Sequence, residues 1–237
     1  MLIGMRNAMM AGGGLSAKSY VQDGLVAMWD GIENAGWGQS HDIIANGWVD
    51  CVGRLTFNMS GFTIDGDGGI VVNQPVYCDW SGPLPDVDNV CVQMVARGKA
   101  PHVDSTADCG GYFCGVGMLI DRESSTYRSG RITTNLNPGG RNYAYTIDVA
   151  KFGVYNTWSA VLDGAIKCFC NSDAVNVSQS SFYNNSAAIP HQVYFGASSS
   201  KPLFIRSFRI YSRALTAAEI AANYAVDVAR FTLPDAT

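Results

Sequence analysis

Cleaving a glycosidic bond needs two carboxyl groups about 5–9.5 Å apart, one of them kept protonated. This chain of 237 residues has three glutamates, Glu33, Glu123 and Glu219. Glu219 stands three residues after Thr216, the spacing of a capping box in which each side chain satisfies a free backbone N–H of the other. Glu33 and Glu123 sit in loop-like stretches with no second carboxylate at a useful spacing. The pairs Asp65/Asp67 and Asp86/Asp88 lie where aspartate serves as a turn former. The three histidines, His41, His102 and His191, accompany no Gly-x-Ser-x-Gly nucleophile elbow. No His or Cys spacing gathers a zinc site. What remains is non-covalent recognition: aromatic faces against the C–H surface of a sugar, with Asp, Asn and Arg hydrogen-bonding its hydroxyls.

Several aromatics stand in loop contexts. Trp37 and Trp80 lie among Gly, Ser, Asp and Pro. Tyr143 and the Asn/Ser stretch that begins at Asn171 would line a rim. Trp37, Trp80, Tyr143 and Asn171 are therefore the expected ligand-binding residues, with a glycan as the ligand. Hard oxygen donors suited to calcium occur at Asp30, Asn34, Asp65, Asp67, Asp104 and Asp108. Of these, Asp65 and Asp67 are taken as the expected metal positions.

Composition narrows the class. Apolar residues make up 47% and charged residues 15%, and the net charge is −4. With no Lys/Arg run longer than two, this excludes the clustered basic face that nucleic acid requires. No apolar stretch of about 18 residues is present, so no transmembrane helix is expected. The first fifteen residues lack the apolar run of a secretory leader. Seven cysteines form no C-x-x-C pattern. Their odd number predicts buried small hydrophobes rather than a disulfide framework, with a Cys109–Cys114 loop bridge as the alternative.

Period 2 dominates the elements that must carry these loops. In 203–213, Phe204, Arg206, Phe208, Ile210 and Ser212 alternate with Leu203, Ile205, Ser207, Arg209 and Tyr211. Both sets contain apolar side chains, which predicts a strand covered on both faces. The capping box then opens a helix whose buried stripe is expected at Ile220, Tyr224 and Val228. Strands are also expected near 25–30, 90–96, 158–162 and 165–170, the last two joined by a hairpin at Asp163-Gly164. About twelve to fourteen short strands and one helix point to a two-sheet sandwich. Residues 1–19, with Gly12, Gly13 and Gly14 and four methionines, read as an arm with a hinge.

The phrase Ile205…Arg209-Ile210-Tyr211…Arg213-Ala214-Leu215-Thr216…Glu219-Ile220…Asn223-Tyr224 resembles the closing segment of laminin-G-like domains, members of the concanavalin A-like lectin/glucanase superfamily. Asp23-Gly24-Leu25-Val26…Trp29-Asp30-Gly31-Ile32…Asn34 resembles the opening phrase of the same domains. Trp48…Asp50…Gly53 resembles a turn that follows it, with Cys51 in the usual leucine place. The resemblance implies an all-β fold: a two-sheet antiparallel jelly-roll β-sandwich with a short C-terminal helix. It spans one domain, 20–237, behind the arm 1–19. It also implies bound calcium in some members and places the first and last strands side by side. The Glu-x-Asp-x-x-Glu strand of the superfamily's glucanases is absent here, so no enzymatic activity is expected. The arm and the glycan-binding expectation together suggest a phage virion protein, a head- or tail-attached decoration or fibre. It would form a homo-oligomer, bind other virion proteins through the arm and adhere to a cell-surface polysaccharide. The alternatives are a secreted or surface-attached bacterial carbohydrate-binding protein and a divergent glycoside hydrolase.

Overall fold

A computed structural model of the chain describes residues 15–31, 47–52, 55–57, 62–64, 70–80, 89–98, 109–113, 116–122, 129–134, 141–146, 153–182, 192–197, 199, 202–231 and 233, with backbone alone at 64, 109, 112, 117–122, 129–134, 141–146 and 178–182. In chain order the strands are β1 (Leu25–Asp30), β2 (Trp48–Val49), β3 (Thr56–Phe57), β4 (Thr63–Ile64), β5 (Ile70–Val72), β6 (Val76–Asp79), β7 (Asn89–Arg97), β8 (Cys109–Phe113) and β9 (Val116–Arg122). They continue with β10 (Ser129–Thr134), β11 (Arg141–Thr146), β12 (Asn156–Asp163), β13 (Ile166–Cys170), β14 (Asp173–Val175), β15 (Val177–Phe182), β16 (Gln192–Gly196) and β17 (Leu203–Tyr211). The α-helix among the described residues is α1 (Ala217–Phe231).

The result is an all-β jelly-roll-like sandwich closed by a C-terminal helix. One sheet has eight strands, ordered β14-β13-β12-β7-β17-β5-β4 with β1 also on β17. The other has seven, ordered β15-β11-β10-β9-β8-β16-β6. A two-stranded ribbon, β2-β3, is the third sheet. β17 is the hub of the first sheet. One edge pairs with β7 along most of its length, and the other is shared by β5 at Leu203–Ile205 and by β1 at Ser207–Tyr211. The first and last strands are thus neighbours, as the resemblance implies.

The alternation expected along β17 is broken once. Ile205 pairs with Ala96 and Ser207 with Val95, leaving Arg206 as an extra residue. Such a bulge sets two residues against one and exchanges the faces on either side of it. Leu203 and Ile205 therefore share the core with Phe208 and Ile210 instead of facing away from them. The opposite face carries Arg209 and Tyr211, both fully buried.

The core between the sheets is aromatic. Phe195 stacks on Phe57 at 4.9 Å and meets Phe208 edge-on at 5.0 Å, while Trp29 lies 5.1 Å from Phe57. Geometry of this kind adds to the transfer gain of burying large rings. Gly111 admits the close approach: a Cβ there would lie 2.9 Å from Phe208 and 3.2 Å from Phe195. Two indoles lock β1 to the ribbon, with Trp29 Nε1 donating to the Trp48 carbonyl and Trp48 Nε1 to the Asp30 carbonyl. Asp50 of the Trp48…Asp50 turn accepts from the backbone N–H of Met28 (2.6 Å) and Val52 (2.9 Å). The Asp163-Gly164 hairpin joins β12 to β13, with Gly164 at φ +74°, a conformation that costs glycine little.

α1 covers the outer face of the eight-stranded sheet. Its capping box forms: Glu219 Oε2 accepts from the Thr216 N–H (2.8 Å) and Thr216 Oγ1 from the Glu219 N–H (3.3 Å). Ile220 and Tyr224 are buried and Val228 packs beside them. The buried stripe is wider than apolar periodicity predicts, because Asn223 and Asp227 are fully buried with it. The residues before β1 also pack here. Ser16 caps a 3-10 turn at Ala17–Ser19, and Ala17 and Tyr20 are buried against Met28, Cys51 and Val226. Among the described residues no helix is long and apolar enough to cross a membrane.

Candidate functional site

The outer face of the seven-stranded sheet presents an aromatic pair where β6 forms the sheet's edge. β6 alternates strictly: Val76 and Cys78 enter the core, and Tyr77 and Asp79 face out. β16 does the same, with Val193 and Phe195 inside and Tyr194 outside. The antiparallel register sets Tyr194 opposite Tyr77 and Gln192 opposite Asp79. The two phenol rings stack at 4.7 Å with 22° between their planes. Tyr77 is 54% exposed, the most open of the large hydrophobic residues described. Tyr194 leans along its own strand over Gly196, where a Cβ would come within 3.0 Å of its hydroxyl oxygen. Farther into the sheet, the backbone row continues from Tyr194 to Tyr112, Gly117, Thr133 and Asn142.

Of the residues expected from sequence, Trp80, Asn171 and the Tyr143 backbone have described positions. Trp80, next after β6, is half-buried against the core, its ring edge-on to Phe113 at 4.7 Å. Asn171 occupies the turn between β13 and β14 at φ 62°, where its carbonyl oxygen accepts from the Thr157 N–H and its amide donates to Asn156. A short polar side chain of this type tolerates the left-handed region. Tyr143 lies on β11 in the row that runs through Ile132, Met118 and Gly111 to the core residue Phe195. Trp37, Asp65 and Asp67 lie outside the described residues, as do Glu33 and Glu123. Among the described residues no group of three or more His, Cys, Asp or Glu side chains could hold a metal ion. Tyr77 and Tyr194 lie on strands, outside the loop stretches where sequence places exposed aromatics. The signal that finds them is an aromatic on the solvent half of an alternating strand.

Among the described residues the densest charged constellation lies under α1, with Arg209, Asp227 and Asp30 fully buried. Arg209 donates to both oxygens of Asp227, at 2.6 and 2.7 Å. The Tyr20 hydroxyl gives a third hydrogen bond to this carboxylate and Thr157 a fourth, at 2.7 and 2.8 Å. Arg230 reaches Asp30 at 2.6 Å and the Tyr20 oxygen at 3.1 Å. The Arg209 guanidinium also lies 4.1 Å from the centre of the Tyr20 ring, a cation–π contact. Beside this group, Asn223 donates to Gln93 and to Tyr211, and Gln93 donates to Ser159. Burial pushes the Tyr20 phenol well above its ordinary range, and the negative Asp227 adds to the push. The Asp227 carboxylate accepts four hydrogen bonds and is sealed from solvent, out of reach of a ligand. Burial also makes three of the described thiols poor nucleophiles, raising Cys91 and Cys51 to about 12 and Cys78 to about 11. Cys51, Cys78, Cys91, Cys168 and Cys170 are all buried.

The geometry is thus a closed polar scaffold on one side and an open aromatic edge on the other. The chain shares its fold with the receptor-binding domains of botulinum neurotoxins. One similar structure is the receptor-binding domain of botulinum neurotoxin D, with a TM-score of 0.60 and 10% identity over 87% of this chain and 53% of that one. A second comes from work in which cell entry of botulinum neurotoxin type C depends on interaction with two ganglioside molecules; its TM-score is 0.62, at 8% identity over 87% and 51%. A third is the binding domain of botulinum neurotoxin DC in complex with SialylT, with a TM-score of 0.59 and 9% identity over 89% and 52%. The chain spans about half the length of these structures. No protein-family model matches the chain, and neither does any curated protein. At such identities the likeness is one of fold.

Proposed function

We propose that the chain is a non-catalytic carbohydrate-binding module of a secreted or surface-attached bacterial protein. The observation that supports this most is the fold, matched over 87% of the chain to receptor-binding domains. One of those toxins interacts with two ganglioside molecules and another was captured with SialylT. The chemistry agrees with a binding role. The buried carboxylates Asp30, Asp50 and Asp227 hold the scaffold, while the outward-facing side chains of β6 and β16 are aromatic, amide and carboxylate, the types that grip sugars. The test is retention of the full chain on an immobilised panel of neutral and sialylated oligosaccharides, with Trp37→Ala and Trp80→Ala variants in parallel. Binding to at least one glycan is expected, and a chain that binds none is not a lectin. Repeating the panel in calcium chloride and in chelator tests whether Asp65 and Asp67 bring calcium to the site. Turnover of any polysaccharide, abolished by one Asp or Glu substitution, would overturn the non-catalytic reading.

The arm supports a second reading, a virion-attached adhesin, because four methionines ahead of a triple glycine suit docking into an apolar groove. Deleting residues 1–14 should then release the protein from particles or dissolve its homo-oligomer. The deletion stops at Gly14 because Ala17 is buried in the domain. Unchanged assembly would remove this reading and leave the first in place.

A further inference from the structure

We propose that the Tyr77–Tyr194 pair at the β6 edge is a binding platform for one neutral hexopyranose ring, with Asp79 and Gln192 as its polar partners. The proposal rests on the carbohydrate-binding reading and assigns it a site. Three observations carry it. First, Tyr77 is 54% exposed while its ring lies 4.7 Å from that of Tyr194. One face is covered by a neighbouring ring, and the opposite face is what solvent reaches. An aromatic face carries negative π density that attracts the C–H bonds lining one side of a pyranose. A ring already held by its neighbour loses little freedom when a ligand stacks on it.

Second, polar groups stand where the rim of such a sugar would fall. Asp79 is two residues beyond Tyr77 on the same strand, exposed on the same face, and Gln192 is its cross-strand partner. Side chains two residues apart on one face are about 7 Å apart along a strand, comparable to the distance from the middle of a pyranose, past one of its hydroxyls, to a hydrogen-bond partner beyond it. A carboxylate accepts from vicinal hydroxyls and an amide both donates and accepts. The negative charge of Asp79 selects against sialic or uronic acids, whose carboxylates it would repel. Third, Gly196 leaves open the place a side chain would fill: its Cβ would fall 3.0 Å from the Tyr194 hydroxyl oxygen and 3.3 Å from its ring. The ring can thus lie low against the sheet.

An exposed aromatic on an edge strand also invites pairing with a second copy. β6 is poorly suited to that. It is four residues long, Pro75 precedes it without an N–H to offer, and Asp79 places a charge on the edge. These are the devices by which edges are blunted, and they leave the aromatic pair as a surface for a small ligand.

The test uses the full chain and titrations by calorimetry with lactose, chitotriose, cellotetraose, maltotetraose and sialyllactose. Binding to at least one neutral sugar is expected, with sialyllactose weaker than lactose. Tyr77→Ala should weaken that binding about fivefold to tenfold, the worth of one aromatic stack, and Tyr77→Phe should leave it within about twofold because the ring remains. Asp79→Asn should narrow the gap between lactose and sialyllactose. If the wild-type chain binds none of these sugars or the wider panel, the carbohydrate reading itself fails. If it binds and Tyr77→Ala binds equally well, or binds only sialyllactose, the platform assignment fails alone. Self-association that disappears in Tyr77→Ala would make the edge a copy-to-copy interface and overturn the assignment.

Discussion

The two outer faces of the sandwich are built on opposite principles. Over the eight-stranded sheet, α1 seals two arginines, two aspartates and a tyrosine into a network with 0% exposure at Arg209, Asp227 and Asp30. At the edge of the seven-stranded sheet, two tyrosines stack on the outer face, with Asp79 and Gln192 beside them. The first face holds the residues that stand out in the sequence. The second holds residues that look like ordinary strand fillers. Charge that is buried and paired is scaffold, whereas aromatic surface left in water is available to a ligand. The comparison predicts that substitutions on the first face move stability and substitutions on the second move binding.

The sharpest break of that comparison is Asp227→Ala. It removes the acceptor of Arg209, Tyr20 and Thr157 together, leaving a guanidinium buried without its carboxylate. The expected cost is about 3–5 kcal/mol, the range for breaking one side of a buried pair, read as a lower midpoint in urea unfolding. Removing both charges in Arg209→Met/Asp227→Leu should cost less than the single change, because no charge is then stranded. A single change costing under about 1 kcal/mol would mean that the network is wetter than its geometry indicates. Next in size is Gly111→Ala, which drives a methyl to within 2.9 Å of Phe208 and 3.2 Å of Phe195. Overpacking of this kind costs about 1–3 kcal/mol, and an unchanged thermal midpoint would show that the sheets can separate there.

A smaller effect belongs to the helix start. Thr216→Ala should cost about 1 kcal/mol, as the loss of an N-cap does. Glu219 links that cap to pH. Hydrogen bonds from Arg213 first, then from the Thr216 N–H, lower its carboxyl from 4.5 to about 2. A carboxylate depressed by folding contributes stability above its unfolded value, and that contribution fades as pH falls from about 4.5 toward 2. Glu219→Gln should flatten this part of the stability–pH curve. The effect is modest because Arg213 and Glu219 remain about a quarter exposed and solvent screens the pair. A curve of unchanged slope would assign the acid sensitivity to the buried network instead.

These same segments show how far the sequence could be read. Period 2, the capping box and the Asp163-Gly164 turn are local signals, and each forms as local rules require. The closing and opening phrases resembled one family, and their strands do pair. Three features were not legible. The bulge at Arg206 is set by how β17 meets Val95 and Ala96, which no single strand encodes. The burial of Asn223 and Asp227 depends on Gln93 and Arg209, residues 130 and 18 positions away. The candidate site was obscured for a different reason. Loop aromatics looked available, yet Trp80 turned its ring onto Phe113. Tyr77 and Tyr194 are ordinary in their own strands and become a pair only through the β6–β16 register.

The smallest expected effect is therefore the most discriminating. Tyr77→Ser trims a ring that is 54% exposed and touches its neighbour on one face. Exposed positions away from buried networks change stability by no more than about 0.5 kcal/mol, so the thermal midpoint should hardly move while any sugar binding at this edge falls. A residue that natural sequences use for packing shows the reverse pattern, a loss of stability with binding intact. If Tyr77→Ser lowers stability by as much as Gly111→Ala does, the ring pair is a structural cover for the β6 edge, and the two faces of the sandwich differ in chemistry without differing in role.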